Sequence, residues 1–444
     1  MIVELTASNF KSIREPTTIS FLAGKSKKLP GNLLLAPNRE RFLKSMALYG
    51  PNASGKTTVL DALYALRFFV LFSSQDQKPT AKIPQFEPFA LDRGSLEQPT
   101  QIALTIQLER TRYTLDVAAT PRQVWKESLT MRRVGTQPSR KVAEEPLIER
   151  VWDANSKRYT TTLSEELGPE LTRRAAVEQT TRNRLTLGKL ASLNSELARK
   201  LVEWFENAID FYDMHRNPLS EDSALADSAR LLKEDQEFAG LVTRFLKDAD
   251  TGIQELSVVD EKVLQPVFSE QDEMEVREVS RPALSFRHAT GDGSEVFFRR
   301  QKESSGTLRF VAMLVALLKP GPRRRLICID ELSASMHPDL VCRLLRLVHS
   351  SHFNVRGNQL LFTTHDTHLI DPSELLRRDQ VTICTKDRHG RTTTRRLDEF
   401  EDLSRSDANL QKQYLQGRFG GLPQFGPKLE DVPLDDEPLE VGRE

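Results

Sequence analysis

Apolar and polar positions alternate through the opening of the chain, with Ile2, Leu5, Ala7 and Phe10 followed by Ile19 and Phe21. A period of two predicts half-buried strands joined by a polar turn. A short apolar strand from Met46 to Tyr49 then runs into Gly50. From Thr57 the period lengthens, because Val59, Leu60, Leu63, Leu66, Phe69 and Val70 fall at helical spacing. The segment reads strand, glycine loop, helix. Alternation returns between Gln101 and Val117 and predicts a strand pair turning near Arg110 to Arg112.

From about Pro121 to Arg281 the texture changes to charge clusters and scattered prolines. One amphipathic helix stands out there, with Leu190, Leu193, Leu197, Leu201, Trp204 and Ala208 at three- and four-residue steps. Its two or three heptads are far fewer than a long coiled-coil arm needs. Regular patterning resumes after Arg281, with a helix from Thr307, a buried strand Leu326 to Ile329 and a helix Pro338 to His349. Strands Gln359 to Thr363 and near Val381 to Cys384 follow. The last forty residues are rich in glycine and proline, then acidic, as a flexible end would be.

Composition narrows the class. With 444 residues, 38% of them in the hydrophobic set, the chain can bury about three quarters of its surface without staples. Its three cysteines, Cys328, Cys342 and Cys384, form no CxxC pair, which argues against a disulfide framework or thiolate zinc and for a cytoplasmic protein. The N-terminus lacks the pattern of a secretory signal, and the best uninterrupted apolar run, Phe310 to Leu318, is too short to span a bilayer, so no membrane partner is expected. Lys plus Arg (63) balances Asp plus Glu (63), yet charge is segregated: residues 121–200 carry net +6 and residues 429–444 net −6. Solvated faces and a disordered tail are the plain reading of both.

Gly50-Pro51-Asn52-Ala53-Ser54-Gly55-Lys56-Thr57 fits GxxxxGK[ST] in full. Glycines let the backbone curl its N–H groups around phosphates, the lysine reaches the same oxygens, and the hydroxyl ligates Mg²⁺. The following helix points its positive end at the phosphates. Asp330 and Glu331 end the apolar strand Leu326 to Ile329, and suit a metal ligand and a general base for water. Ser305 and Gly306, in Glu303-Ser304-Ser305-Gly306-Thr307, open an apolar helix whose N-terminus can hold an anion or simply be capped. His365 follows the strand ending Phe362-Thr363-Thr364. His349 with His352, and His365 with His368, have near-ligand spacing but no third ligand beside them. Arg323-Arg324-Arg325 follows a Pro-Gly-Pro turn and reads as a solvated loop.

Taken in order, these look like the Walker A, signature, Walker B and switch-histidine motifs of ABC-type ATPases. Together with IDELSASMHPDL, LLFTTHDTHLI and the late Tyr414-Leu415-Gln416-Gly417-Arg418-Phe419-Gly420 before Leu422-Pro423, the chain resembles the SMC-like ATPases of prokaryotic anti-phage defence. These are the ATPase partners of abortive-infection and Rlo-type operons, with PARIS and Septu ATPases as cousins. The resemblance covers about residues 1–75 and 280–425. It implies an α/β fold: a P-loop ABC-type ATPase head with a mainly helical insertion between Walker A and signature. The parts would be an N-terminal lobe (1–120), the insertion (121–280), a C-terminal lobe (281–400) and an extension with an acidic tail (401–444).

The resemblance further implies ATP and Mg²⁺ as cofactors, with Gly50, Asn52, Ser54, Gly55, Lys56, Thr57 and Thr58 on the nucleotide and Thr57 and Asp330 on the metal. Glu331 and His365 would be catalytic, His365 touching the γ-phosphate. Ser305 and Gly306 would bind the ATP of the opposite subunit of a homodimer or larger oligomer, with Ser333 to His337 as the D-loop. The expected function is a switch controlling a separately encoded effector, a nuclease for preference, with nucleic acid or a phage protein as trigger. The alternative is a RecF-like DNA-repair ATPase that binds DNA directly. A transporter motor fits poorly, because ESSGT stands where transporters have LSGGQ and 251 residues separate Gly55 from Gly306. No Q-loop glutamine stands out among Gln85, Gln101 and Gln107.

Overall fold

The computed structural model describes residues 1–75, 78–135, 143–212, 218–249, 251–268, 274–292, 294–370, 375–400 and 409–422. At its centre lies a six-stranded sheet of order β11–β15–β16–β5–β17–β18. These strands are β5 (Ser45–Tyr49), β11 (Ile209–Tyr212), β15 (Leu326–Ile329), β16 (Gln359–Thr364), β17 (Val381–Lys386) and β18 (Thr392–Arg396). All neighbours are parallel except β18, which closes the edge antiparallel to β17. Parallel sheets are covered on both faces, so their strands are continuous apolar runs, and every residue of β5, β15 and β16 is buried.

Side chains alternate between the two faces of that sheet. Met46 and Leu48 enter one core with helix α1 (Lys56–Ser74), whereas Ala47 and Tyr49 enter a second with α8 (Ser305–Leu318) and α9 (Pro338–His349). Helix α1 is the one described helix long and apolar enough to cross a membrane, and much of it is buried in the first core. That core is covered by a seven-stranded antiparallel sheet of order β10–β9–β8–β7–β6–β1–β2. Its strands are β1 (Ile2–Ser8), β2 (Thr17–Ser20), β6 (Thr100–Leu108), β7 (Thr111–Thr120), β8 (Gln123–Arg133), β9 (Glu145–Asp153) and β10 (Arg158–Leu163). Leu108 pairs with Thr111, so the expected turn falls at Glu109 and Arg110. The small hairpin β3 (Leu33–Leu35) and β4 (Arg41–Leu43) and the short helix α2 (Arg93–Leu96) complete this half.

The stretch expected to be a mainly helical insertion is mixed. Strands β8 to β10 extend the seven-stranded sheet, β11 joins the central sheet, and β12 (Ile253–Phe268) pairs with β13 (Met274–Ala289) in a long ribbon edged by β14 (Glu295–Arg299). Between them run α3 (Glu170–Gln179), α4 (Thr186–Ser192), α5 (Glu196–Asn207), α6 (Pro218–Glu234) and α7 (Gln236–Lys247). Charges hid the strands. Glu127 of β8 is fully buried and accepts from the amides of Thr186 (2.7 Å) and Leu187 (2.9 Å), while Arg150 of β9 donates to the carbonyls of Arg184 (2.7 Å) and Thr181 (3.1 Å). Burial raises the Glu127 carboxyl and lowers the Arg150 guanidinium, and each partly offsets the other's shift.

The single helix expected across Leu190 to Ala208 is two, α4 and α5. Asn194 takes a left-handed turn (φ 62°), and Ser195 caps α5 by accepting from the amide of Ala198. The net-positive surface also shrinks, since Arg184 is buried on the carbonyl of Ser73 and Arg173 donates to the carbonyls of Leu163 and Gly168. Arg174 and Arg182 remain exposed. Of Arg323 to Arg325, Arg325 is buried, paired with Asp210 and donating to the carbonyls of Ala316 and Lys319. Helix α10 (Leu410–Leu415) closes the described chain near the central sheet. Pro423 and the acidic tail lie outside the described residues.

Candidate nucleotide site

The carboxyl ends of β15, β16 and β5 lie side by side, Ile329 opposite Phe362 and Thr364 opposite Tyr49. Each strand therefore delivers its next residues to one edge, where open α/β sheets bind ligands. From β5 the chain turns at Gly50 and enters α1 at Lys56. A Cβ at Gly50 would stand 2.3 Å from the carbonyl oxygen of Cys384, and one at Gly55 (φ +99°) 2.1 Å from Thr392 Oγ1, so only glycine fits either place. Lys56 is buried and donates to the carbonyls of Gly50 (2.9 Å) and Pro51 (3.1 Å), with its ammonium 3.9 Å from Glu331 Oε1. Asn52 and Ala53 are exposed at the loop tip. Ser54 Oγ is buried without a hydrogen-bond partner. Thr58 instead shares a hydrogen bond with Ser12 at 3.0 Å.

Thr57 Oγ1 donates to the Asp330 carboxylate at 2.9 and 3.1 Å. Thr363, wholly buried at the end of β16, also donates to Asp330 (2.6 Å) and accepts from the Glu331 amide (2.7 Å). Glu331 sits in a left-handed backbone conformation (φ 52°), and its Oε2 lies 2.9 Å from His365 Nδ1. Arg309 of α8 is buried and donates to the carbonyls of both Asp330 (3.0 Å) and Glu331 (2.6 Å). Neither Thr363 nor Arg309 stood out in the sequence. The available signals were a threonine pair before the histidine and a lone arginine early in an apolar helix.

The phosphate loop, both carboxylates and His365 thus converge within one chain. Ser305 and Gly306 do not join them. Ser304 caps α8 by accepting from the Thr307 amide (3.0 Å), Ser305 is exposed, and a Cβ on Gly306 would meet the carbonyl of Ser335 at 2.2 Å. A cleft of about 950 Å³ opens beside residues 50–54 and His365 and is walled by Tyr414 to Leu422; Lys56, Thr57, Asp330, Glu331, Ser305 and Gly306 do not line it. Ser333 Oγ, in the stretch after Glu331, shares a hydrogen bond with Thr364 Oγ1 at 2.8 Å. His349 is structural: it is buried between Ser45 and Gln380, and burial, then Lys44, lowers its pKa to about 3. His368 bonds Asp366, and among the described residues no group of three or more His, Cys, Asp or Glu could hold a metal ion.

A central parallel sheet with a phosphate loop, an aspartate–glutamate pair and a histidine on one edge defines a P-loop ATPase of the AAA/ABC class. Residues 45–371 match the family described as "AAA domain, putative AbiEii toxin, Type IV TA system", and the chain belongs to that family. No curated protein matches the chain.

Proposed function

We propose that this protein binds ATP with Mg²⁺, hydrolyses it, and uses the cycle to switch a separately encoded effector, a nuclease, during phage infection. The observation that carries the hydrolytic part is the pairing of Thr57, in the first turn of α1, with Asp330, and of His365 with Glu331 just beyond the adjacent strands β16 and β15. A hydroxyl and a carboxylate this close are the hard oxygen donors that suit Mg²⁺, which when bound neutralises charge on the phosphate oxygens. Lys56 exchanges its carbonyl partners for those oxygens, and the buried Ser54 hydroxyl gains the partner it lacks. Glu331 takes the proton of the attacking water, and His365 orients Glu331 and the terminal phosphate.

The exposure of Ser305 at the start of α8 leaves it open to a second copy, which supports a homodimer or larger assembly in which that copy supplies Ser305 and Gly306. The family description, with its type IV TA system, supports a defence role over direct DNA repair. The trigger is nucleic acid or a phage protein, and the three free thiols suit a cytoplasmic setting. The exposed Arg174 and Arg182 are among the charges offered to a partner.

The test is mixing. Lys56→Ala and Ser305→Arg each silence a homodimer, but their heterodimer keeps one site with both halves intact, so part of the ATP turnover returns. Heterodimers that form and stay silent contradict the shared-site reading. In cells, protection requires the neighbouring gene together with Lys56, and protection by this chain alone contradicts the separate effector.

A further inference from the structure

The proposed chemistry leaves the C-terminal segment without a task, yet that segment forms a wall of the cleft beside the phosphate loop. Helix α10 and the turn after it pack on the second core through Leu410, Tyr414 and Phe419, with the Phe419 ring 5.2 Å from that of Phe400. The Tyr414 ring stands edge-on to that of Tyr49, 6.2 Å between centroids, and Tyr49 immediately precedes Gly50. Its hydroxyl donates to the carbonyl of Gly421 at 2.7 Å and closes the turn. The Gln411 side-chain amide donates to Thr367 Oγ1 at 3.2 Å.

Thr367 is two residues beyond His365. Between them, the Asp366 amide donates to Thr364 Oγ1 (3.0 Å), and the Asp366 carboxylate accepts from the amide (3.0 Å) and ring Nδ1 (2.9 Å) of His368. The His365 side chain is 63% exposed, so beyond its contact with Glu331 Oε2 (2.9 Å) packing does little to aim it. Its reach to Glu331 depends on the backbone from Thr364 to Thr367, held at the start by Asp366 and Thr364 and at the end by Gln411. We infer that Gln411 is a positioning residue for His365, through which the C-terminal segment sets the rate of ATP turnover. This rests on the ATPase reading above. Gln411 does not line the cleft, so its loss alters the aim of the histidine and leaves nucleotide binding intact.

The experiment measures kcat and KM for ATP in the full-length protein and in Gln411→Ala, Thr367→Val and His365→Ala, singly and combined. Losing one neutral hydrogen bond that orients a catalytic group lowers kcat by about fivefold in Gln411→Ala or Thr367→Val, with KM within about twofold in Gln411→Ala. The pair together is no worse than either alone, and Gln411→Ala costs nothing further in the His365→Ala background, because groups acting as one unit are not additive. Thr367→Val breaks the same bond from the other end with a side chain of the same shape, which guards against misfolding of the Gln411 variant. Unchanged kcat in both single variants overturns the inference, as does a KM that rises with the loss in Gln411→Ala, or a full fivefold loss persisting without His365. Wild-type protein that turns over no ATP overturns the ATPase reading along with it, whereas wild-type turnover insensitive to Gln411 overturns the positioning role alone.

Discussion

Replacing Thr363 with valine removes one hydroxyl from the centre of the site and leaves its shape. That hydroxyl donates to Asp330 at 2.6 Å and accepts from the Glu331 amide at 2.7 Å, and Thr363 has no exposed surface. A hydrogen bond to an ionised carboxylate contributes about 1.5–3 kcal/mol, and an orphaned amide costs about 1–3 kcal/mol. Asp330 keeps the Thr57 hydroxyl, so the two losses do not add in full and the expected destabilisation is about 2–4 kcal/mol. Turnover falls by at least about tenfold, since the amide that fixes the backbone of Glu331, the proposed base, is released. Serine keeps the hydroxyl and forfeits one methyl group, about 1 kcal/mol, so Thr363→Ser retains most of the activity. Urea unfolding midpoints and ATP turnover on the two variants check this. A valine variant as stable and as active as wild type refutes the bridging role of Thr363.

Two further outcomes follow from buried and exposed charge. The folded pKa of His349, about 3 against an ordinary 6.5, means that the native state holds the neutral ring. Its contribution to stability is complete above about pH 6.5 and is lost as pH falls towards 3, at up to about 1.4 kcal/mol per pH unit. Urea titrations between pH 4 and 7 show that slope diminished in His349→Gln, and an unchanged slope rejects the assignment. Charge reversal of Arg174 and Arg182 together leaves ATP turnover within about twofold, as surface substitutions do, and abolishes protection in cells. The reverse pattern removes this face from partner docking.

The nucleotide loop was legible in the sequence because its chemistry is local: glycines, lysine and threonine must stand at fixed spacing, and Gly50 and Gly55 have no room for a Cβ. Strands β5, β15, β16 and β17 of the central sheet were legible because burial on both faces leaves apolar runs, as in Leu326 to Ile329, whereas the edge strands β11 and β18 were not. Strands β8 and β9 were not, because Glu127 and Arg150 satisfy each other and the backbone inside the core while looking like surface charge. The β12–β13 ribbon escaped for the opposite reason, since Leu264 and Val276 are exposed and leave no face with a clean alternation. Asn194 broke one apparent helix into two without disturbing its apolar spacing. Thr363, Arg309 and Gln411 act across 32, 21–22 and 44 residues of chain, a separation that no local pattern reports.

Glu331, in the turn after β15, is the proposed base for ATP hydrolysis. Bound ATP and released phosphate measured for wild type and Glu331→Gln under the same Mg²⁺ conditions decide this. The glutamine variant keeps its bound ATP while phosphate release falls by about 10²-fold or more, the contribution of a positioned general base. Equal phosphate release from the two proteins contradicts the account.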